Sequence, residues 1–120
     1  PVISRVHIST SLIPDQSQSA QTIVSWKTNK PATSQVFFTE GTGTEFTQFT
    51  PAETSLVEDH IVVTTKLKPG TAYTIKVQSG DSAGNVTDSG RYSILTPKVA
   101  GSVVDLIFGN LNKTFGFLKN

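Results

Sequence analysis

The sequence predicts an all-β fold over residues 1–98, a seven-stranded antiparallel Greek-key β-sandwich. Aromatic and β-branched residues outnumber good helix formers over most of the chain, and threonine and serine are abundant, a bias typical of strands. Seven short apolar segments are separated by turn signals at intervals of about ten residues. No helical pattern lies between them, which favours an antiparallel sandwich or barrel over a parallel α/β sheet.

The first two expected strands flank a polar loop. VISRVHIS at 2–9 has apolar residues in imperfect alternation, and TSLIPDQSQS at 10–19 is a polar loop with a Pro-Asp turn signal. QTIVSWKT at 21–28 is the second strand, and the period of two places Val24 and Trp26 on one face. The single tryptophan is therefore expected at the centre of the core.

A third strand and a hairpin follow. ATSQVFFTE at 32–40 places Val36 and Phe38 on the same face. GTGTEFTQF at 41–49 is a glycine-hinged hairpin that leads into a short strand carrying Phe46.

The last three expected strands are 57–67, which is rich in β-branched residues, 72–80, which alternates cleanly, and RYSILT at 91–96. A turn-rich loop, DSAGNVTDSG, separates the last two. The inner faces of these strands supply the expected core: Val24, Trp26, Val36, Phe38, Leu67, Tyr73, Ile75 and Val77.

The stretch LKPGTAYTIKV at 67–77 predicts how the chain crosses between sheets. Pro69-Gly70 turns the chain after a buried Leu67, and Tyr73 follows near the start of the next strand. A buried tyrosine ring needs a partner for its hydroxyl. We expect that hydroxyl to bond to backbone a few residues upstream, as in a tyrosine corner.

These residues resemble a fibronectin type III domain of the kind found in secreted bacterial proteins. The resemblance rests on VSWKTNKPATSQVFF at 24–38, EDHIVVTTKLKPGTAYTIKV at 58–77 and SGDSAGN at 79–85, and it covers about residues 2–97. The chain is also similar to the sandwich domain that precedes the catalytic domain of purple acid phosphatases. The resemblance implies an immunoglobulin-like sandwich in an exported protein. The long loop at 10–19 and the tail after Pro97 depart from the family pattern.

Three functions agree with this resemblance. The first is a non-catalytic adhesion, spacer or interaction module of an exported or cell-surface multidomain protein. The second is an accessory domain of a phosphatase or glycan-active enzyme whose catalytic site lies elsewhere. The third is a carbohydrate-binding module, which needs exposed aromatic side chains on one surface; Phe37, Phe46 and Phe49 are the strand or hairpin candidates outside the expected core.

The composition of the chain excludes some kinds of partner and some kinds of chemistry. A net charge of +1, with ten scattered basic residues, gives no electrostatic field that would favour binding to nucleic acid. The chain has no cysteine, so disulfides, thiolate metal sites and a cysteine nucleophile are excluded. No apolar run reaches the roughly 18 residues that span a bilayer. Since the chain opens on proline and lacks methionine, we expect a piece of a longer protein whose targeting segment lies outside it.

The sequence predicts no catalytic residue, no cofactor and no metal site. Glu58-Asp59-His60 is the densest titratable cluster, but neighbours on a strand alternate faces, so we expect an exposed strand start. His7 is isolated. The oxygen-rich segment 81–88 lacks the spacing of an EF-hand, and its Asn and Gly residues are expected to supply positive φ angles in a turn.

Residues 99–120 form a second unit, a C-terminal tail expected to be an amphipathic helix over about 102–118. Six large apolar residues fall within one arc of about 100° on a helical wheel. They are Val104, Ile107, Phe108, Leu111, Phe115 and Leu118. The helix could dock on its own sandwich, pair with another copy or a neighbouring domain, or lie on a membrane. We expect self-association first and membrane contact last, because the opposite face lacks a basic stripe.

Overall fold

The computed structural model describes residues 1–13, 16–42 and 45–98, with residues 16–18 described by their backbone alone. Its seven strands form one connected antiparallel sheet, which confirms the all-β class. The strands are β1 (Ile3–Ile13), β2 (Gln16–Glu40), β3 (Gln48–Phe49), β4 (Glu53–Leu67), β5 (Ala72–Gly80), β6 (Val86–Asp88) and β7 (Tyr92–Leu95).

The long strand β2 belongs to two groups of strands. Its first part pairs with β1 on one side and with β4 on the other. Its second part pairs with β3 and β5, and β5 in turn pairs with β6 and β7. The register between β2 and β4 shifts between Lys27 and Ala32, and β2 passes from the first group to the second after Ser34, since Ser34 still pairs with β4 and Gln35 pairs with β5. The two separate strands expected at 21–28 and 32–40 are thus one continuous strand.

Three other expected boundaries differ. The polar loop expected at 10–19 is largely a strand hairpin, because β1 extends to Ile13 and β2 begins at Gln16. Ser11 is exposed on β1, and polar side chains on an exposed face do not interrupt the ladder. Phe46 precedes β3 rather than lying in a strand. A short strand, β6, lies within the loop expected at 81–90, and the last expected strand corresponds to β7.

All eight residues of the expected core are buried, the most accessible being Phe38 with 8% of its surface exposed. Ala20 joins the same cluster. The Trp26 indole N–H donates to Ser79 Oγ at 2.9 Å, which links the first part of β2 directly to β5. The two groups of strands therefore share one core. Six partly buried side chains pack around it: Ile3, Val6, Ile8, Leu12, Val62 and Ile94.

The turn before β5 contains the contact expected of a tyrosine corner. The backbone N–H of Lys68 donates to the Tyr73 hydroxyl oxygen at 2.9 Å, and the Tyr73 ring is 4% exposed. Gly70 completes the turn with a φ of 59°, a left-handed conformation that glycine adopts without steric cost. The hydroxyl thus satisfies a backbone donor beside the crossing.

We expect Tyr73→Phe to lower the free energy of unfolding by about 1–3 kcal/mol, because the Lys68 N–H loses its acceptor in a partly buried turn. The variant should still fold, since the ring remains in the core. Urea denaturation of both proteins, followed by tryptophan fluorescence, measures the difference. Equal midpoints and slopes would show that the hydroxyl does not stabilise the turn.

The described chain enters and leaves the fold at opposite ends of β5. Thr87 Oγ1 donates to the Pro1 carbonyl oxygen at 2.6 Å, and Thr87 pairs with Ser79 near the end of β5. At the start of β5, the Gly70 N–H donates to the Pro97 carbonyl oxygen at 2.9 Å. A strand rises about 3.3 Å per residue, which separates the two ends by about 25 Å.

Candidate functional site

The face of the second group of strands that is turned away from the core carries a row of side chains from three neighbouring strands. Phe37 of β2 pairs with Phe49 of β3 on one side and with Lys76 of β5 on the other. Because Val36 and Phe38 are buried and side chains alternate along a strand, Phe37 is directed to the outer face. Two phenylalanines and a lysine are therefore neighbours on this face.

The β2–β3 connection brings a third phenylalanine to the row. Thr39 Oγ1 lies 3.3 Å from Thr47 Oγ1, and Thr74 Oγ1 donates to the Gly41 carbonyl oxygen at 2.7 Å. These bonds hold Gly41 and Thr47 over the outer face. They place the Phe46 ring beside Lys76, although Phe46 is outside the strands.

Cations and aromatic rings alternate across this surface, which we call the aromatic face and define by Phe37, Phe46, Phe49, Lys76 and Arg91. The Lys76 ammonium lies 5.2 Å from the Phe37 ring centre and 5.1 Å from that of Phe46. The Arg91 guanidinium carbon lies 5.3 Å from the Phe46 centre, and the Phe37 and Phe49 centres are 5.8 Å apart. Cation–π contacts of this length fix the rings and the charges relative to each other.

A carboxylate borders the aromatic face. Asp88 Oδ2 accepts a bond from Lys76 Nζ at 3.0 Å, and its Oδ1 accepts one from Gln78 Nε2 at 2.9 Å. Burial acts to raise the pKa of Asp88. The hydrogen bonds from Gln78 and Lys76 and the lysine charge outweigh that effect, so the pKa lies below its ordinary value. Asp88 is consequently a fixed anion and hydrogen-bond acceptor at neutral pH.

The rings differ in what they offer a ligand. Phe49 has 63% of its surface exposed, whereas Phe37 and Phe46 are half-buried and in contact with cations. The Phe37 and Phe49 planes are inclined by 43°, so these two rings do not form a flat platform. The surface combines one accessible ring with adjacent polar and charged groups, a composition typical of recognition surfaces.

The structure brings together all three phenylalanines that the sequence singled out, and it adds four polar partners that the sequence analysis missed, Lys76, Gln78, Asp88 and Arg91. Alternation alone places Lys76 and Gln78 on the outer face of β5, but their neighbours depend on the register between strands. Asp88 belongs to a segment that was expected to be a loop. Its position opposite Gln78 follows from the pairing of β5 with β6.

The expectation that Glu58-Asp59-His60 is an exposed strand start is wrong for His60. Glu58 and Asp59 are exposed, whereas His60 is 3% exposed and stacks on Trp26, with ring centres 4.9 Å apart and planes inclined by 5°. Its register opposite Trp26 turns the imidazole inward. The three side chains therefore do not form a common site.

The oxygen-rich segment 81–88 is a turn whose polar atoms bond within the protein. Asp81 Oδ1 accepts from the backbone N–H groups of Ala83 and Asn85, at 3.0 and 2.9 Å. These bonds lower the pKa of Asp81 to about 2, and the bond from the Asn85 backbone N–H contributes most. Gly84 has a φ of 90°, whereas Asn85 does not take the positive φ expected for it and instead donates its side-chain amide to Asp81.

Other candidate sites were sought across the same described ranges. Within 1–13, 16–42 and 45–98, no group of three or more His, Asp or Glu side chains is placed to hold a metal ion. His7 is exposed on β1. No helix long and apolar enough to span a membrane occurs among these residues. The six apolar residues of the expected tail helix lie outside them.

No protein-family model matches the chain, and no curated protein matches its sequence. Among solved structures, the chain is similar to the sensor domain of the anti-sigma factor RsgI4 in Pseudobacteroides cellulosolvens, with 14% identity and a TM-score of 0.46. The alignment covers 79% of this chain and 97% of that one. A likeness this slight carries no argument about function or partners.

Proposed function

We propose that the seven strands form a two-layer Greek-key sandwich of the fibronectin type III kind. One layer would contain β1, β4 and the first part of β2, and the other would contain the remaining strands. The Trp26–Ser79 bond between the two groups and the single shared core support this arrangement. The bond from Lys68 to Tyr73 supports it further, because a tyrosine corner accompanies the crossing between layers in such folds.

We infer that the domain is a non-catalytic interaction module of an exported or cell-surface multidomain protein. The observation that carries this proposal is the aromatic face, where Phe49 is exposed beside Phe37 and Lys76. An exposed aromatic side chain next to a second ring and fixed charges is the pattern of a binding hot spot. The face lies on paired strands, which position its side chains more rigidly than loops would.

A spacer role accompanies this recognition role. The chain enters near Ser79 and leaves near Gly70, at opposite ends of β5. The chain segments that adjoin the two ends of the described sandwich would therefore start from points separated by about the length of the strand.

Carbohydrate is the second candidate ligand, and the convergence of Phe37, Phe46 and Phe49 favours it. The C–H groups of a sugar ring can pack on the exposed face of Phe49, while Asp88 and Gln78 can bond to hydroxyl groups. This arrangement would serve an accessory domain of a glycan-active enzyme as well as an adhesion module.

We expect Phe49→Ala to abolish binding to the ligand of the aromatic face while changing the free energy of unfolding by less than about 0.5 kcal/mol, as is usual for exposed positions. The full chain and the variant are applied to an array of neutral and acidic oligosaccharides. The affinity of each oligosaccharide that binds is then measured by titration. Val2→Ala is the matched control, because Val2 is 62% exposed and directly precedes β1, which belongs to the other group of strands. Binding that survives Phe49→Ala would exclude the aromatic face, and an array without any binding would exclude the carbohydrate candidate.

A further inference from the structure

A pocket of about 270 Å³ lies on the first group of strands, across β1, β2 and β4. Its volume is close to the roughly 300 Å³ of the smallest ligand sites in proteins. Because Val24 and Trp26 are buried and side chains alternate along a strand, the neighbouring residues of β2 are directed to the outer face. We call this site the Arg5 pocket and define it by five of its lining residues with charged or polar side chains: Arg5, His7, Ser25, Lys27 and Asp59.

A β-bulge in β1 places arginine at this pocket. The register between β1 and β2 shifts between Ser4 and His7, so that Arg5 and Val6 both stand opposite Trp26. Val6 packs against the core, whereas Arg5 is exposed and lines the pocket. Arg5 has a φ of 53°, a left-handed conformation that glycine usually supplies in such bulges. Residues with side chains that are held in this conformation cluster at ligand sites.

The guanidinium of Arg5 is available to an anion. Lys27 is paired with Asp59, whereas Arg5 forms no ion pair within residues 1–13, 16–42 and 45–98. A guanidinium presents a planar fork of N–H donors that matches the two oxygens of a carboxylate. A singly charged carboxylate fits this pocket better than a dianion such as phosphate, because the charge of Asp59 would repel the second negative charge.

Apolar side chains adjoin the Arg5 pocket on the same face of the strands. Ile61 of β4 pairs with Ser25, and Val63 pairs with Ile23. Ile61 is 69% exposed and Val63 is 49% exposed. Residues two apart on a strand share a face, so Ile61 lies next to Asp59 at the border of the pocket. From there the apolar strip continues for about 7 Å to Val63, which is the spacing of alternate side chains in an extended peptide.

We propose that the Arg5 pocket binds the C-terminal carboxylate of a peptide whose last residues are apolar. The carboxylate bonds to the Arg5 guanidinium, beside the Ser25 hydroxyl group, and the apolar side chains pack along Ile61 and Val63. A peptide end carries this charge and these side chains together, whereas a small free acid would leave the strip uncovered. The site is on the other group of strands from the aromatic face, so the interaction proposed for Phe49 is independent of it.

An NMR titration of the full, isotope-labelled chain tests the proposal. The probes are two N-acetylated peptides that end in valine-leucine, one with a free carboxylate and one with a C-terminal amide. The free carboxylate should shift the backbone amide signals of Arg5, Ser25 and Ile61 but not that of Phe49. The amide peptide should bind at least about tenfold more weakly, because a charged hydrogen-bond acceptor is lost. A free-carboxylate peptide that ends in two serines should bind about fivefold more weakly, because it buries less apolar surface.

Arg5→Gly is the decisive variant, because it removes the guanidinium and suits the positive φ, so the bulge is retained. It should bind the valine-leucine carboxylate at least about tenfold more weakly, with a urea midpoint no lower than that of the original protein.

Lys66→Gln, which removes an exposed charge outside the pocket, is the control and should bind as the original protein does. Equal affinities for the carboxylate and the amide, or binding unchanged by Arg5→Gly, would overturn the proposal. Shifts at Phe49 instead of Arg5 would overturn it as well and would assign the peptide to the aromatic face. Acetate or the serine-ended peptide binding as tightly as the valine-leucine carboxylate would show a site for any carboxylate, which contradicts the assignment to an apolar peptide end.

Discussion

Replacing Trp26 with alanine is expected to lower the free energy of unfolding by about 3–5 kcal/mol, the usual cost of removing a large aromatic side chain from a core. Trp26 is 2% exposed, stacks on His60 and donates to Ser79, so the substitution leaves a cavity and removes contacts with both. Small domains are stable by about 5–15 kcal/mol, so the variant should be unfolded or barely folded at 37 °C.

Thermal denaturation followed by circular dichroism measures this effect without relying on tryptophan fluorescence. Trp26→Phe is the informative control, because it keeps an aromatic ring in the core but removes the N–H that reaches Ser79. It should cost less than Trp26→Ala. A melting temperature unchanged by Trp26→Ala would mean that the shared core does not hold the two groups of strands together.

Replacing His60 with alanine is expected to cost at least about 2 kcal/mol, because the Ser34 hydroxyl loses its partner and the Thr28 hydroxyl, which keeps the Lys30 carbonyl, loses one of its bonds, at about 1–3 kcal/mol for a buried group left unsatisfied. His60 Nδ1 lies 2.6 Å from Ser34 Oγ, and Nε2 lies 2.9 Å from Thr28 Oγ1. Both hydroxyl groups belong to buried residues. The imidazole thus connects Thr28 and Ser34 of β2 to β4, and its loss should be visible in urea denaturation at neutral pH.

His60 also makes the stability depend on pH. Burial lowers the pKa of His60 below its ordinary value of 6.5, and the charge of Asp59 raises it by a smaller amount. Since the unfolded chain takes up the proton more readily, the contribution of neutral His60 is complete above pH 6.5. It is lost as the pH falls below that value towards the pKa of the folded state.

The free energy of unfolding should therefore decrease between pH 7 and pH 5. In His60→Gln, which retains hydrogen-bonding groups but does not titrate, this decrease should be smaller. Asp59, Asp81 and Asp88 have lowered carboxyl pKa values and stay ionised in this range, so they do not obscure the comparison. Equal slopes for the two proteins would show that His60 is not the titrating group.

The core could be predicted because its residues alternate with polar ones. Tyr73, Ile75 and Val77 are separated by Thr74 and Lys76, and a strand with this pattern has one possible inner face. The burial of His60 could not be predicted in this way. Apolar residues occur on both faces of the segment after it, so the inner face depends on its register with β2.

The three phenylalanines of the aromatic face could be predicted, but its cations and its geometry could not. Phe37 is directed outward by the alternation around it, and Phe49 is close to it in sequence. The contact between Lys76 and Phe46 depends on how the β2–β3 connection folds back, which strand periodicity does not determine. The helix expected over about 102–118 lies outside the described residues and stays a prediction.

Site-specific photocrosslinking at position 49 tests the proposed interaction function most directly. A benzophenone analogue of phenylalanine would replace Phe49 in the full chain within the cells that produce it, and a second protein would carry the analogue at the equally exposed Val2. The proposed function predicts that illumination yields a discrete adduct from position 49 that is absent from position 2. An absence of adducts from position 49, or the same adducts from both positions, would contradict recognition through the aromatic face.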